Sequence, residues 1–430
     1  MGTGTIALIL LVIFILLVVL GVPIGFSLGI TGVAGLLMMK VSFMMFPQTL
    51  ISGINNFALL AIPFFVLIGS LMEKSEISSA LVELADELIG FIPGGMAVVA
   101  VLSCMLFATA SGSGPATVAA VGSITIPEME KRGYSSRFSI GIAAAAGALG
   151  PIIPPSIPLI IYGVVAEESI VKLFLGGLGA GILFAFLLIV FSIFKAVKEG
   201  VPVKKTRPSF KRILEKTWKA KHAIAVPIVV LGGIYGGVFT PTEAGAIGCL
   251  YVLVIGTFVT KTLDLKKTYE CLVAGAKNSA MIMFVIASAS LFSWLLAAGQ
   301  VPEIAARAIL SISHNKIIFM IMVNLLFLII GSLLDTPAAI VIIVPILLPI
   351  ARDLGIDPIH FGTVVVVNFV IGYITAPFGY NLFVAKSITG KSMEEVTIAV
   401  LPFLVVCLIG LAILTYVPAI SLFFPNLFMK

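Results

Sequence analysis

Charge is what this sequence has least of. Asp, Glu, Lys and Arg make up 11% of its 430 residues, against roughly 25% in an ordinary soluble domain, so a water-facing surface cannot be covered with polar groups. Soluble enzyme architectures are excluded on that ground. Only three histidines are present, His222, His314 and His360, and they are scattered beyond any metal-ligand spacing. The four cysteines, Cys104, Cys249, Cys271 and Cys407, stand singly, which fits packing and gives no redox or metal motif. There is no GxxxxGK[ST] phosphate loop, so the chain carries no nucleotide motor of its own. A nucleophile paired with a base is also missing, and no enzymatic reading is supported.

Apolar residues fill the place of the missing charge: 60% of the chain is hydrophobic and its mean hydropathy is +1.22. The runs are apolar on all sides and do not alternate, which predicts spanning helices in place of a transmembrane barrel. Spans are expected near 5–20, 24–40, 57–73, 138–163, 174–194, 223–239, 243–260, 279–298, 359–385 and 397–418. The first lacks a basic segment before it, so it is expected to be retained, not cleaved as a leader. Two more apolar stretches, 93–127 and 316–351, are interrupted at Ser111–Pro115 and Gly331–Pro337 and read as helical hairpins.

The net charge of +6 need not mean nucleic acid. Ten Lys or Arg residues lie between Lys195 and His222, and by the positive-inside rule that stretch is cytoplasmic. Threading the spans from there puts the basic residues on the same side, with Lys40, Lys172, Arg307, Lys316, Arg352 and Lys430 as the exceptions. Both termini then lie outside. The two hairpins enter from opposite faces, and the halves align at one offset: Pro115 with Pro337, Gly150 with Gly372 and Pro155 with Pro377 are each 222 residues apart. A span, a connector (75–90; 300–315), a hairpin, a broken span and a last span recur with inverted topology. Such repeats are a secondary-transporter signature and place the solute near the midplane, where broken helices meet.

Gly and Pro inside a lipid-embedded segment free backbone amides and carbonyls, which protein or a water-filled cavity must receive. The breaks are Ser111–Thr117, Gly147–Pro158, Gly331–Pro337 and Gly372–Asn381. Ser113-Gly114-Pro115 and Asp335-Thr336-Pro337 each present a helix N-terminus suited to an anion. Carbonyls with Ser, Thr and Asn side chains suit a dehydrated cation. The expected solute contacts are Ser113, Thr117, Ser156, Asp335, Thr336 and Asn381. Asp335 is either an intramembrane functional acid or a helix cap. Glu167, Glu168 and Glu243 are expected at the interfaces. Sparse intramembrane acids and histidines favour sodium over protons as the coupling ion.

At these residues the sequence resembles the large membrane subunit of the tripartite ATP-independent periplasmic (TRAP) transporters. The resemblance runs from Leu16 onward, through GVPIGFSLG (Gly21–Gly29), IPFFVLIGSLM (Ile62–Met72), SGSGPATVAAVG (Ser111–Gly122), IPPSIPLIIYG (Ile153–Gly163) and FTPTEAGA (Phe239–Ala246). It implies an all-α polytopic inverted-repeat fold of the elevator type, in the bacterial inner membrane. Residues 93–163 and 316–386 would form the mobile transport domain, and 1–92, 164–315 and 387–430 the scaffold. It also implies two partners, a small four-helix membrane subunit and a periplasmic binding protein, and no cofactor besides sodium ions. Sodium sites carry over to Ser111 or Ser113 with Gly150, Ile153 and Pro154, and to Gly331 with Gly372, Thr375 and Phe378. Ala376-Pro377 departs from the double proline of Pro154-Pro155, which bears on the carbonyl geometry of the second site. The implied solute is a small carboxylate, of the C4-dicarboxylate or sialic acid class. A self-sufficient carrier of the same superfamily and a channel or scaffold remain as other readings at this point.

Overall fold

The fold follows from the need to satisfy every backbone amide without water, and helices meet it segment by segment. A computed structural model describes residues 3–75, 77–203, 208–312 and 315–429. Lys204, Lys205 and Arg207 of the basic stretch, with His314 and Lys430, lie outside the described residues. Among those described, every regular element is helical.

The chain begins with α1 (Thr3–Val19), α2 (Ile24–Met38), α3 (Met45–Ile54) and, after a short 3-10 turn, α4 (Ala61–Lys74). Then come α5 (Ile77–Ile89) and the first hairpin, α6 (Gly95–Ser111) followed by α7 (Gly114–Thr117), which runs through a π turn into α8 (Ser123–Lys131). The first broken span is α9 (Ser136–Gly147) and α10 (Ile157–Ala166). Long helices follow: α11 (Ile170–Lys198), α12 (Phe210–Tyr235), α13 (Pro241–Val254) and α14 (Leu265–Ala298). The second half continues with α15 (Val301–Ile312), the hairpin α16 (Lys316–Gly331) and α17 (Thr336–Asp353), and the broken span α18 (Pro358–Gly372) and α19 (Tyr380–Thr389). It ends with α20 (Met393–Tyr416) and α21 (Ala419–Phe428). Six helices among the described residues are long and apolar enough to cross a membrane.

The 222-residue offset holds in three dimensions. The returning arm of the first hairpin, Gly114 to Lys131, maps exactly onto α17, Thr336 to Asp353. Side-chain caps fall at matched positions, Ser113 with Asp335 and Ser135 with Asp357, because each helix start must occupy its free amides. The Pro154-Pro155 and Ala376-Pro377 bonds are both cis.

The connectors 75–90 and 300–315 are helices, α5 and α15, as the resemblance implies, and are amphipathic. Several elements differ from expectation. The basic stretch is largely helical, since α11 runs to Lys198 and α12 starts at Phe210. Two short helices, α3 and α21, had no counterpart among the expected spans. The packing also groups the helices differently from the sequence order. α11, α20 and α21 lie against the hairpins and broken spans, while α2, α3, α4, α13 and α14 pack on one another, and α4 and α14 also lie against α6 and α17 of the hairpins.

Close packing on the hairpin side depends on small residues where helices cross. A side chain at Gly141 of α9 would run into the Ala399 carbonyl and the Phe403 ring of α20. A buried polar chain ties the second half together. Asn368 Nδ2 donates to Asn324 Oδ1 at 2.8 Å and Asn324 Nδ2 to Thr415 Oγ1 at 3.0 Å. Buried His360 places Nδ1 2.8 Å from Ser421 Oγ and Nε2 3.2 Å from the Thr415 carbonyl. At the end assigned to the cytoplasm, Arg132 donates to both carboxylate oxygens of Asp86, at 2.7 and 3.0 Å. That fork, joining α5 to the hairpin's end, holds the guanidinium pKa above its usual value.

If the α9–α20 crossing sets the packing of that body, Gly141→Val should cost about 1–3 kcal/mol as overpacking. A lowered melting temperature of the detergent-solubilised chain is the expected reading, and an unchanged one would show that the crossing can open without penalty.

Candidate functional site

Each hairpin turn is brought against the broken span of its own half by a glycine with no side chain to hold it off. A Cβ at Gly150 would meet the Ser113 carbonyl at 2.5 Å and Thr117 Oγ1 at 2.8 Å. A Cβ at Gly372 would run into the Gly331 carbonyl. Each half thus brings a tip carbonyl against the break of its span, at matched glycines of the span but not at matched positions of the tip, since Ser113 corresponds to Asp335 and not to Gly331. Gly112 extends the contact in the first half, its αL backbone (φ 57°) setting it against the Pro155 carbonyl.

Hydroxyls line the first contact. Ser111 Oγ lies 3.1 Å from Thr117 Oγ1, Thr117 Oγ1 donates to the Ser113 carbonyl at 2.7 Å, and the Ser113 amide donates to Ser111 Oγ at 3.4 Å. Ile153 and Pro154 are buried in the adjoining break. Ser156 caps α10, its hydroxyl accepting from the Leu159 amide and donating to the Pro151 carbonyl. In the second half Thr375 Oγ1 donates to the Ile371 carbonyl at 2.8 Å. Phe378 is 56% exposed.

Both tips open onto one cavity of about 380 Å³. Its lining comes from Ser111 to Ala116 of the first tip, Asp335 and Pro337 of the second, and Tyr373 and Tyr380 of the second broken span. Ser70 and Glu73 of α4 and Asn278, Met281 and Ile282 of α14 also line the cavity. Of the expected solute contacts, Ser113 and Asp335 line the cavity. Thr117, Ser156, Thr336 and Asn381 are buried behind it. Asp335 caps α17, accepting from the Thr336 amide at 3.0 Å, so it both caps and faces the cavity.

Asn381 has another place. Its Nδ2 donates to the Ala144 carbonyl at 3.0 Å, and its Oδ1 lies 2.9 Å from where a Gly114 Cβ would stand. A residue of the second half thereby braces the tip of the first. Glu243 forms a capping box with Thr240, Glu168 pairs with Arg352 at 2.8 Å, and Glu167 ends α10. None of the three lines the cavity. Ser70, Glu73 and Asn278 were missed in the sequence. The available signal was their spacing: Ser70 and Glu73 are one helical turn apart, and Asn278 shares a face with Met281 and Ile282.

Comparison with known proteins gives a consistent result. The family model described as "Tripartite ATP-independent periplasmic transporter, DctM component" matches residues 11–420. The chain is 44% identical over 414 residues to the isethionate TRAP transporter permease protein DctMQ of Oleidesulfovibrio alaskensis, covering 96% of this chain and 65% of that longer protein. It is 40% identical to the C4-dicarboxylate TRAP transporter large permease protein DctM of Pseudomonas aeruginosa, over 93% of this chain and 94% of that one. Among solved structures, Neisseria gonorrhoeae MtrF shares the fold at a TM-score of 0.60, with 13% identity over 86% of this chain and 83% of that one.

If Gly372 is small in order to admit the Gly331 carbonyl, Gly372→Val must separate the tip from the broken span. Amide hydrogen exchange at residues 331–337 should rise at least tenfold, with exchange in α20 unchanged. Unaltered protection at the tip would show that the contact tolerates a side chain.

Proposed function

The chain belongs to the DctM component family of the tripartite ATP-independent periplasmic transporters, multi-pass proteins of the inner membrane, and from that premise we propose a sodium-coupled importer of a small organic anion. The relatives are permease subunits, so transport and not chemical conversion is the class of activity. The observation that carries the reading is the doubled contact between tip and broken span at a shared cavity. It supplies carbonyl and hydroxyl oxygens for cations and helix N-termini for an anion, side by side.

In this reading one sodium ion is held by Ser111 or Ser113 with Gly150, Ile153 and Pro154, and another by Gly331 with Gly372, Thr375 and Phe378. Sodium binding closes each tip onto its span and completes the anion seat, so ion and solute stabilise the same arrangement and load together. The body that moves is proposed to be the one defined by packing, so that α11, α20 and α21 travel with the hairpins. The cavity lies toward Lys74 and Lys277, the ends assigned to the cytoplasm, which supports release on that side. A second cavity, between Gly53, Ile161, Ser290 and Pro345, lies along the same seam toward the outer ends. It is the space a sliding body would use in the opposite state. The partners of this reading are a small four-helix membrane subunit and a periplasmic binding protein that delivers a carboxylate of the C4-dicarboxylate or sialic acid class.

Uptake of labelled carboxylates into proteoliposomes under a sodium gradient tests it. Uptake is expected only when the chain is joined by the small subunit and the binding protein, and uptake by the chain alone would move it to the self-sufficient carriers. Thr375→Val and Gly331→Val should each lower sodium-driven uptake at least tenfold while the complex still assembles. Wild-type sodium dependence in both variants would defeat the second site's assignment.

A further inference from the structure

The cavity between the tips and the α4–α14 wall has an unusual balance of charge. Asp335 and Glu73 both line it, and no Lys, Arg or His is among the residues that do. Glu73 and Asn278 are exposed, and among the described residues neither side chain makes a hydrogen bond or an ion pair. Neighbouring Lys74 acts on Glu73 through its charge but makes its ion pair with Glu270, at 3.7 Å. The carboxylate and the amide therefore remain available to whatever fills the space.

A carboxylate only accepts hydrogen bonds, and an amide both donates and accepts. A solute's single anionic group is taken at the first tip, Ser113 to Ala116, which leaves both acids of the lining, Asp335 and Glu73, with Asn278, to the rest of the solute. A second carboxylate there would meet a like charge with no cation in the lining to offset it. A hydroxyl or an ammonium would instead give Glu73 the donor it lacks. The cavity's size falls within the range of small-molecule sites.

We propose that the transported solute carries a single anionic group and bears hydroxyl or amino donors at its other end, and that Glu73, with Asn278, selects for those donors against a second carboxylate. The inference rests on the transport reading above and narrows its solute class. It makes α4 and α14, which stand outside the hairpins, part of the specificity of the site.

The test is sodium-dependent binding to the purified membrane complex, this chain with its small subunit, measured by calorimetry. The probes are two hydroxylated monoanions, gluconate and N-acetylneuraminate, and two dicarboxylates, succinate and fumarate. At least one monoanion should bind tenfold or more tighter than either dicarboxylate. Glu73→Gln should reduce that ratio at least threefold, and Glu73→Lys should reverse it in favour of succinate. An unpaired, exposed Glu73 leaves the fold intact when replaced, which an unchanged melting temperature verifies. Sodium-dependent binding in which dicarboxylates match or exceed the monoanions, or a ratio unmoved by Glu73→Gln, overturns the proposal alone. Absence of sodium-dependent binding for all four probes also overturns the proposal, while the transport reading stands or falls separately on sodium-driven uptake in the presence of the binding protein.

Discussion

A helix broken inside a membrane must hand its unpaired amides and carbonyls to something other than lipid, and the whole arrangement follows from that requirement. Here each break receives a hairpin turn, and the turn receives the break. Both can approach because Gly150 and Gly372 carry no side chain to keep the partner backbone away. The surrounding helices are shaped to hold those two encounters. Small residues such as Gly141 let α9 and α20 touch closely, and the chain Asn368–Asn324–Thr415, with His360 and Ser421, fixes the second half without drawing on water.

Much of this was legible in the sequence because the repeat wrote it twice. A proline or glycine alone in a span is ambiguous, but the same residue 222 positions later is a constraint shared by two structures. Most span ends were legible for a similar reason, since apolar runs end where the chain must meet water, but α12 and α14 start at Phe210 and Leu265, well before the expected 223 and 279, because their first turns are polar. What stayed hidden was the set of features whose meaning depends on neighbours far along the chain. The amphipathic faces of α5 and α15 are too short and polar to read as spans. The basic stretch reads as a loop by charge, yet Arg212 and Lys216 of α12 find Glu87 and Glu83 of α5 at 2.9 and 2.6 Å. The placement of α11 and α20 beside the hairpins is set by crossings that no local pattern records. Glu73 and Asn278 were silent because polar residues beside a lysine, Lys74 and Lys277, read as the ordinary edge of a span until the rest of the cavity lining is known.

The two halves are similar in plan and unequal in fastening. In the first, α5 is joined to α8 by Arg132 with Asp86 and to α12 by its glutamates, so the hairpin's end assigned to the cytoplasm is bound through charge. In the second, α15 packs on α17 and α14, and no ion pair involving it is found among the described residues. Ionic contacts at an exposed edge are weak and sensitive to salt, whereas apolar contacts are not. The same topological element is therefore held by different forces on the two sides of the membrane.

Asn381 gives the molecule a property that neither half has alone. Its amide spans from the second broken span to the Ala144 carbonyl and the Gly114 turn, so the geometry of one tip is written partly in the other repeat. In genetic terms the halves are not separate complementation units. A lesion at the first tip has its natural compensating changes near residue 381, more than two hundred positions away, and exchange of a half between two relatives would carry over the tip without its brace.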